Sequence, residues 1–107
     1  MSAKSKDDAV FKALGDRDRR KILDLLKRKP LTTGELCGHF QALHRCTVMQ
    51  HLGVLEKADL VVGKKAGRFR WNYLNAMPIK RISDRWMGAF AGQAVGRPSR
   101  AKAGVKG

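Results

Sequence analysis

The sequence predicts a mainly α domain of about five helices that carries a single β-hairpin. Three observations support this class. Apolar residues recur at helical spacing in segments closed by Gly15 and Pro30. Between Leu60 and Leu74 the pattern changes to β-branched and aromatic runs around a glycine. In the middle, two helical segments are separated by the short stretch Gln41-Ala42-Leu43, too little for more than a turn.

The elements follow in chain order. Residues 7–14 (DDAVFKAL) read as a short helix after a flexible stretch, residues 1–6. Asp7 and Asp8 suit its start, where the backbone dipole favours negative charge, and Val10, Phe11 and Leu14 form its apolar stripe. Asp16 then caps a helix over Arg17–Arg28, with Ile22, Leu23, Leu25 and Leu26 inward. Pro30 stops it. Thr32 and Glu35 form a T-x-x-E capping box that opens a short helix over Thr33–Phe40. The next helix is HRCTVMQHLGVLEKA, residues 44–58, with Val48, Leu52 and Leu55 at i, i+4 and i+7 as its buried stripe. Its opposite face carries Cys46, Gln50, Gly53 and Lys57, flanked by Thr47 and Met49. LVVGKK and RFRWNYL pair as a hairpin around Lys65-Ala66-Gly67. Pro78 starts a last helix over residues 78–90, with Ile79, Ile82, Trp86 and Phe90 along one side. The folded domain spans residues 7–91, and residues 92–107 read as a disordered basic tail.

Two helices joined by a tight turn and backed by a hairpin make a winged helix-turn-helix. In that architecture the second helix enters the major groove of DNA. The charge agrees: 23 Lys+Arg stand against 9 Asp+Glu, a net charge of +14. Such a bias favours a polyanionic partner. It is unevenly spread, since residues 61–75 hold Lys64, Lys65, Arg68 and Arg70 and no acid. The tail adds Arg97, Arg100, Lys102 and Lys106. The polar start and the short apolar runs predict a cytoplasmic chain with neither signal peptide nor membrane span. Cys37 and Cys46 are too few for a disulfide framework.

At this point a resemblance emerges. The chain is similar to the ArsR/SmtB family of small dimeric winged-helix repressors. VFKALGDRDRRKILDLL resembles the family's "ALADPTRRxILxLL", and LTTGELCGHF resembles its "xxGELA" helix. LHRCTVMQHLGVLEKADLVVGKKAGRFRWNYLN resembles "SRPAVSxHLxVLxxAGLVxxxxxGRxRxYxLN". The likeness runs from about Val10 to Trp86. It implies a twofold dimer built from the first and last helices, here through Val10, Phe11, Leu14, Ile82, Trp86 and Phe90. It also implies DNA as partner. The chain departs from the pattern where bases would be met. His44 and Met49 replace two serines, and the tyrosine of the second wing strand falls on Asn72, between Trp71 and Tyr73.

The candidate DNA-binding residues are therefore His44, Arg45, Cys46, Thr47, Met49 and Gln50 of the second helix, with Lys64, Lys65, Arg68 and Arg70 of the wing. Gln50 can pair with adenine N6/N7, and Arg45 can reach guanine or a phosphate. Thr47 and Met49 offer apolar contact to thymine methyls. His44 can meet a phosphate or cap its helix, and His51 lies nearer the core edge.

No metal is predicted. Family members that sense metals through "ELCxC" have a cysteine where this chain has His39. Residues two apart on a helix point about 200° apart, so Cys37 and His39 cannot chelate together. No spacing for a Ser/His/Asp triad, a phosphate-binding loop or a zinc protease occurs, which argues against an enzyme. No cofactor is implied. Two other readings stay open. One is a repressor that responds to an effector, through Cys37 or Cys46 oxidation or, less readily, a metal. The other is a general nucleic-acid-binding module driven by the basic tail. The sequence names no small-molecule effector.

Overall fold

A computed structural model of the chain describes residues 3–88. Five helices and a three-stranded antiparallel sheet build it, in the order α1 (Ala3–Leu14), α2 (Arg17–Arg28), β1 (Leu31–Thr32), α3 (Thr33–Gly38), α4 (Arg45–Lys57), β2 (Val61–Ala66), β3 (Phe69–Leu74) and α5 (Met77–Met87). This is a winged helix-turn-helix, as the sequence predicts.

The first helix begins at Ala3, four residues before the expected start, and takes in part of the segment expected to be flexible. Asp7 and Asp8 consequently lie beyond its first turn. Asp7 is buried against α5, where Arg85 Nη1 donates to Oδ2 at 2.6 Å and Arg81 lies 3.8 Å from Oδ1. The acid ties α1 to α5 instead of serving the helix dipole.

Helix α2 has the predicted bounds. The Asp16 carboxylate accepts the free N–H groups of Asp18 and Arg19 at 2.8 and 3.1 Å. Those bonds, the one to Arg19 foremost, hold the Asp16 carboxyl below the usual carboxylate range. At α3 the reciprocal capping box forms, with Glu35 N–H to Thr32 Oγ1 at 3.1 Å and Thr32 N–H to Glu35 Oε1 at 2.8 Å. The Thr32 backbone bond likewise lowers the Glu35 pKa. The helix ends at Gly38, not Phe40, although Phe40 is buried.

Strand β1 is not foreseen in the sequence. Its two residues pair with β3, Leu31 opposite Asn72 and Thr32 opposite Trp71, giving the sheet order β1-β3-β2. Asn72 is fully buried, and its Nδ2 donates to Leu31 O and Thr33 Oγ1, both at 3.2 Å. The hairpin turns on Gly67-Arg68, one residue later than expected. Gly67 has φ +63° while Arg68 does not, the pattern of a II′ turn.

Helix α4 ends in a Schellman motif. Leu60 N–H reaches Leu55 O and Asp59 N–H reaches Glu56 O, both at 2.9 Å. Asp59 takes the left-handed position at φ 61°, where glycine is commoner. The core joins the helices to the sheet through Val10, Ile22, Leu26, Leu36, Val48, Leu52, Leu55, Leu60 and Ile82. Among the described residues no helix is long and apolar enough to cross a membrane.

Candidate nucleic-acid interface

The stripe of Val48, Leu52 and Leu55 is buried, so it fixes which side of α4 faces water. Cys46, Met49 and Gln50 are exposed on that side, Thr47 is half-buried, and His44 and Arg45 are exposed at the helix start. The predicted reading face is thus open as a set. His44 occupies the N-cap position, but its side chain makes no capping bond.

The wing stands beside this face. A groove between α3, α4 and the hairpin is lined by Thr32, Thr33, Gly34, Arg45, Met49, Arg68, Phe69 and Arg70, so α4 and wing residues share one surface. Lys64, Lys65 and Arg68 are exposed along the hairpin without an ion-pair partner among the described residues. Arg70 differs from the expectation that the wing cations face no acid. Its guanidinium pairs with Glu56 near the end of α4. It also lies across Gly63, where any Cβ would collide with it. The pairing escapes sequence inspection because the partners belong to different elements.

A second tie holds α4 from behind. Arg19 donates to Ala13 O at 2.8 Å and Lys12 O at 2.9 Å, carbonyls of the α1 C-terminus. Its Nη1 lies 3.3 Å from His51 Nδ1 on α4. His51 is half-buried, and its ring meets the Arg19 guanidinium. Ligand atoms of Asp16, Asp18 and His51 come within 4.8 Å of one another. The Asp16 carboxylate is already engaged by α2, however, and the Arg19 guanidinium beside His51 repels a cation. Cys37 packs at the core edge and His39 is exposed.

The residues expected to join two protomers divide. Val10 and Ile82 belong to the core of the single chain. That covers them without a partner, because α1 packs Val10 inward against α2 and α4. Leu14 is half-buried. Phe11 and Trp86 are about half exposed, at 48% and 54%, their rings 6.3 Å apart. Phe90 and the basic tail lie outside the described residues.

A helix-turn-helix whose second helix presents Arg45, Met49 and Gln50 beside a basic wing belongs to the DNA-binding winged-helix class. Comparison with known proteins agrees. A helix-turn-helix domain family matches residues 14–63. An uncharacterized HTH-type transcriptional regulator of Bacillus subtilis, YuzN, is 41% identical over 75% of this chain and 94% of its own length. The transcriptional repressor SdpR of the same organism is 37% identical over 73% of this chain and 84% of its own. The crystal structure of an ArsR family transcriptional regulator superposes with a TM-score of 0.73 at 26% identity, covering 91% of this chain and 98% of that one. The chain belongs to the ArsR family of transcriptional regulators. These relatives are DNA-binding regulators and not enzymes.

Proposed function

We propose that the chain binds a specific double-stranded DNA operator as a homodimer and represses transcription from it. The observation that carries this reading is the groove that Arg45 and Met49 of α4 share with Arg68 of the wing, with Lys64 and Lys65 exposed on the same hairpin. Gln50 reads an adenine, Arg45 a guanine or phosphate, and Met49 and Thr47 touch thymine methyls. Cys46 and His44 lie against the backbone or base edges, and Lys64, Lys65 and Arg68 hold phosphates. The half-exposed pair Phe11 and Trp86 supports a twofold interface through α1 and α5. Two copies of α4 then meet an inverted repeat about one helical turn apart. That SdpR is named a repressor supports the sign of regulation.

Selection of bound sites from random duplex DNA tests the reading. A half-site preference that persists at physiological salt supports it, whereas a salt slope without preference points to general binding. Gln50→Ala lowers discrimination at one base pair by ~1–3 kcal/mol. Arg68→Ala weakens all sequences alike and reduces the salt slope by about one. Sedimentation at micromolar concentration gives a dimer that Trp86→Ala weakens; a monomeric wild type removes the twofold arrangement.

A further inference from the structure

The outer face of the sheet carries a row of aromatic side chains that the core does not use. Side chains alternate along a strand, so Phe69, Trp71 and Tyr73 share one side of β3, while Arg70, Asn72 and Leu74 share the other. The inner side is settled by Asn72, fully buried, and by Arg70, paired with Glu56 of α4. Opposite the three aromatics, the register places Ala66, Lys64 and Val62 of β2. Phe69 is 56% exposed and Tyr73 38%, with Trp71 half-buried between them. Lys64 Nζ lies 5.8 Å from the centre of the Tyr73 ring. Single exposed apolar residues are ordinary, but a contiguous row of three rings is a surface with a use.

Charge and spacing say what fits it. Lys64 stands on the same face opposite Trp71, Arg68 adjoins Phe69 at the turn, and residues 61–75 contain no acid. A second copy of the same face would set Lys64 against Lys64, which disfavours self-association there. Residues two apart on a strand are about 6.8 Å apart. Bases in a duplex strand are only about 3.4 Å apart. Successive bases can therefore rest on successive rings only in an extended, unstacked strand, whose base faces are free. Every base has such a face, so the contact tolerates any sequence.

We propose that the outer face of the β1-β3-β2 sheet binds single-stranded nucleic acid, with unpaired bases stacked on Phe69, Trp71 and Tyr73 and phosphates held by Lys64 and Arg68. The site shares Phe69 and Arg68 with the groove beside α4, whereas Trp71 and Tyr73 do not line that groove. Tyr73 lies at the base of the wing, so Tyr73→Thr leaves duplex binding in place.

The test uses the full chain with labelled dT12, U12 and a 12-bp duplex, following label anisotropy and tryptophan emission together. Either single strand, or both, quenches tryptophan emission in the wild type, and the one bound more tightly identifies DNA or RNA as the preferred strand. Trp71→Phe keeps the binding and loses the quenching. Phe69→Thr and Tyr73→Thr, which keep a strand-forming residue, each raise the Kd for the single strand by ~5- to 150-fold. Tyr73→Phe restores it. Binding without quenching, or binding indifferent to both threonine substitutions in folded variants, would assign the affinity to basic residues alone and overturn the proposal. Equal quenching by the duplex would overturn it as well, by giving the face to double-stranded DNA. The quenching of the unmutated chain decides even if a threonine variant fails to fold.

Discussion

Arg70 sits on the wing yet faces an acid, and this makes Glu56→Gln an informative perturbation. The pair joins the sheet to α4. The two side chains are 45% and 34% exposed, so water screens them and the pair contributes only ~0.2–1 kcal/mol to stability. Urea unfolding of Glu56→Gln should show a loss of that size. DNA binding should change in the other direction. In the wild type the Arg70 charge is compensated by Glu56, so it releases no counterion from a phosphate. Once Glu56 is neutral, Arg70 becomes available, and one further phosphate contact steepens the salt slope by ~0.9. Between 50 and 200 mM salt that adds about 3.5-fold to the loss of affinity. Tighter binding at low salt should accompany it. The assay is fluorescence anisotropy on a selected operator duplex at four salt concentrations. Arg70→Ala serves as the control and should leave the wild-type slope unchanged. If Arg70→Ala alone makes the slope shallower by about one, Arg70 already holds a phosphate and the reasoning is refuted. A uniform loss of affinity in Glu56→Gln would refute it too, since Glu56 would then be positioning Arg70 for DNA.

The other expectations concern the scaffold. Asp59→Gly relieves a left-handed position and should raise the unfolding free energy by ~0.5–1 kcal/mol in urea titrations; a loss would mean that unfolded-chain entropy outweighs the strain. Asp16→Ala removes the α2 cap and should cost ~1 kcal/mol, with Asp16→Ser costing much less. The Asp16 and Glu35 carboxyls are more acidic folded than unfolded, so their contribution is present above the unfolded pKa values near 4 and is lost as pH falls through the lower folded values. Thermal melts from pH 7 to pH 3 should show that decline, and Asp16→Asn should flatten part of it. Arg19→Lys cannot span two carbonyls and an imidazole with one ammonium, and should cost ~1–2 kcal/mol by urea unfolding; an unchanged midpoint would show the fork to be dispensable.

What the sequence makes legible follows the range of the interaction. Helix α2 is read to the residue because both its signals are local, Asp16 capping the next turn and Pro30 ending the run. The capping box of Thr32 and Glu35 and the Val48–Leu52–Leu55 stripe are equally local, and the open face of α4 follows from that stripe alone. Beyond shifts of a few residues at the ends of α1, α3 and the hairpin turn, the failures are long-range. Strand β1 is two residues that become a strand only because Asn72 and Trp71, some forty positions away, supply partners. Asp7 looks like a helix-start residue until Arg81 and Arg85 arrive from α5. Val10 looks like spare apolar surface until α2 and α4 close over it. Arg70 looks like a free cation until the wing folds beside Glu56.

The same distinction bears on how α4 is held for its task. No side chain caps its N-terminus, so local chemistry does little to orient the helix that faces DNA. Its position rests on the buried stripe and two lateral ties. Glu56 reaches the wing through Arg70, and His51 reaches the α1–α2 junction through Arg19. Arg19 grips the last carbonyls of α1, and α1 also carries Phe11 of the proposed interface. A displacement of α1 at the interface would therefore shift the group that holds His51. In the proposed dimer, the interface and the aim of α4 would be connected through one arginine, a rigid fork with enough donors for both carbonyls and the imidazole. A lysine there has the charge but not the reach in two directions, which is why the charge at position 19 is the lesser part of its role.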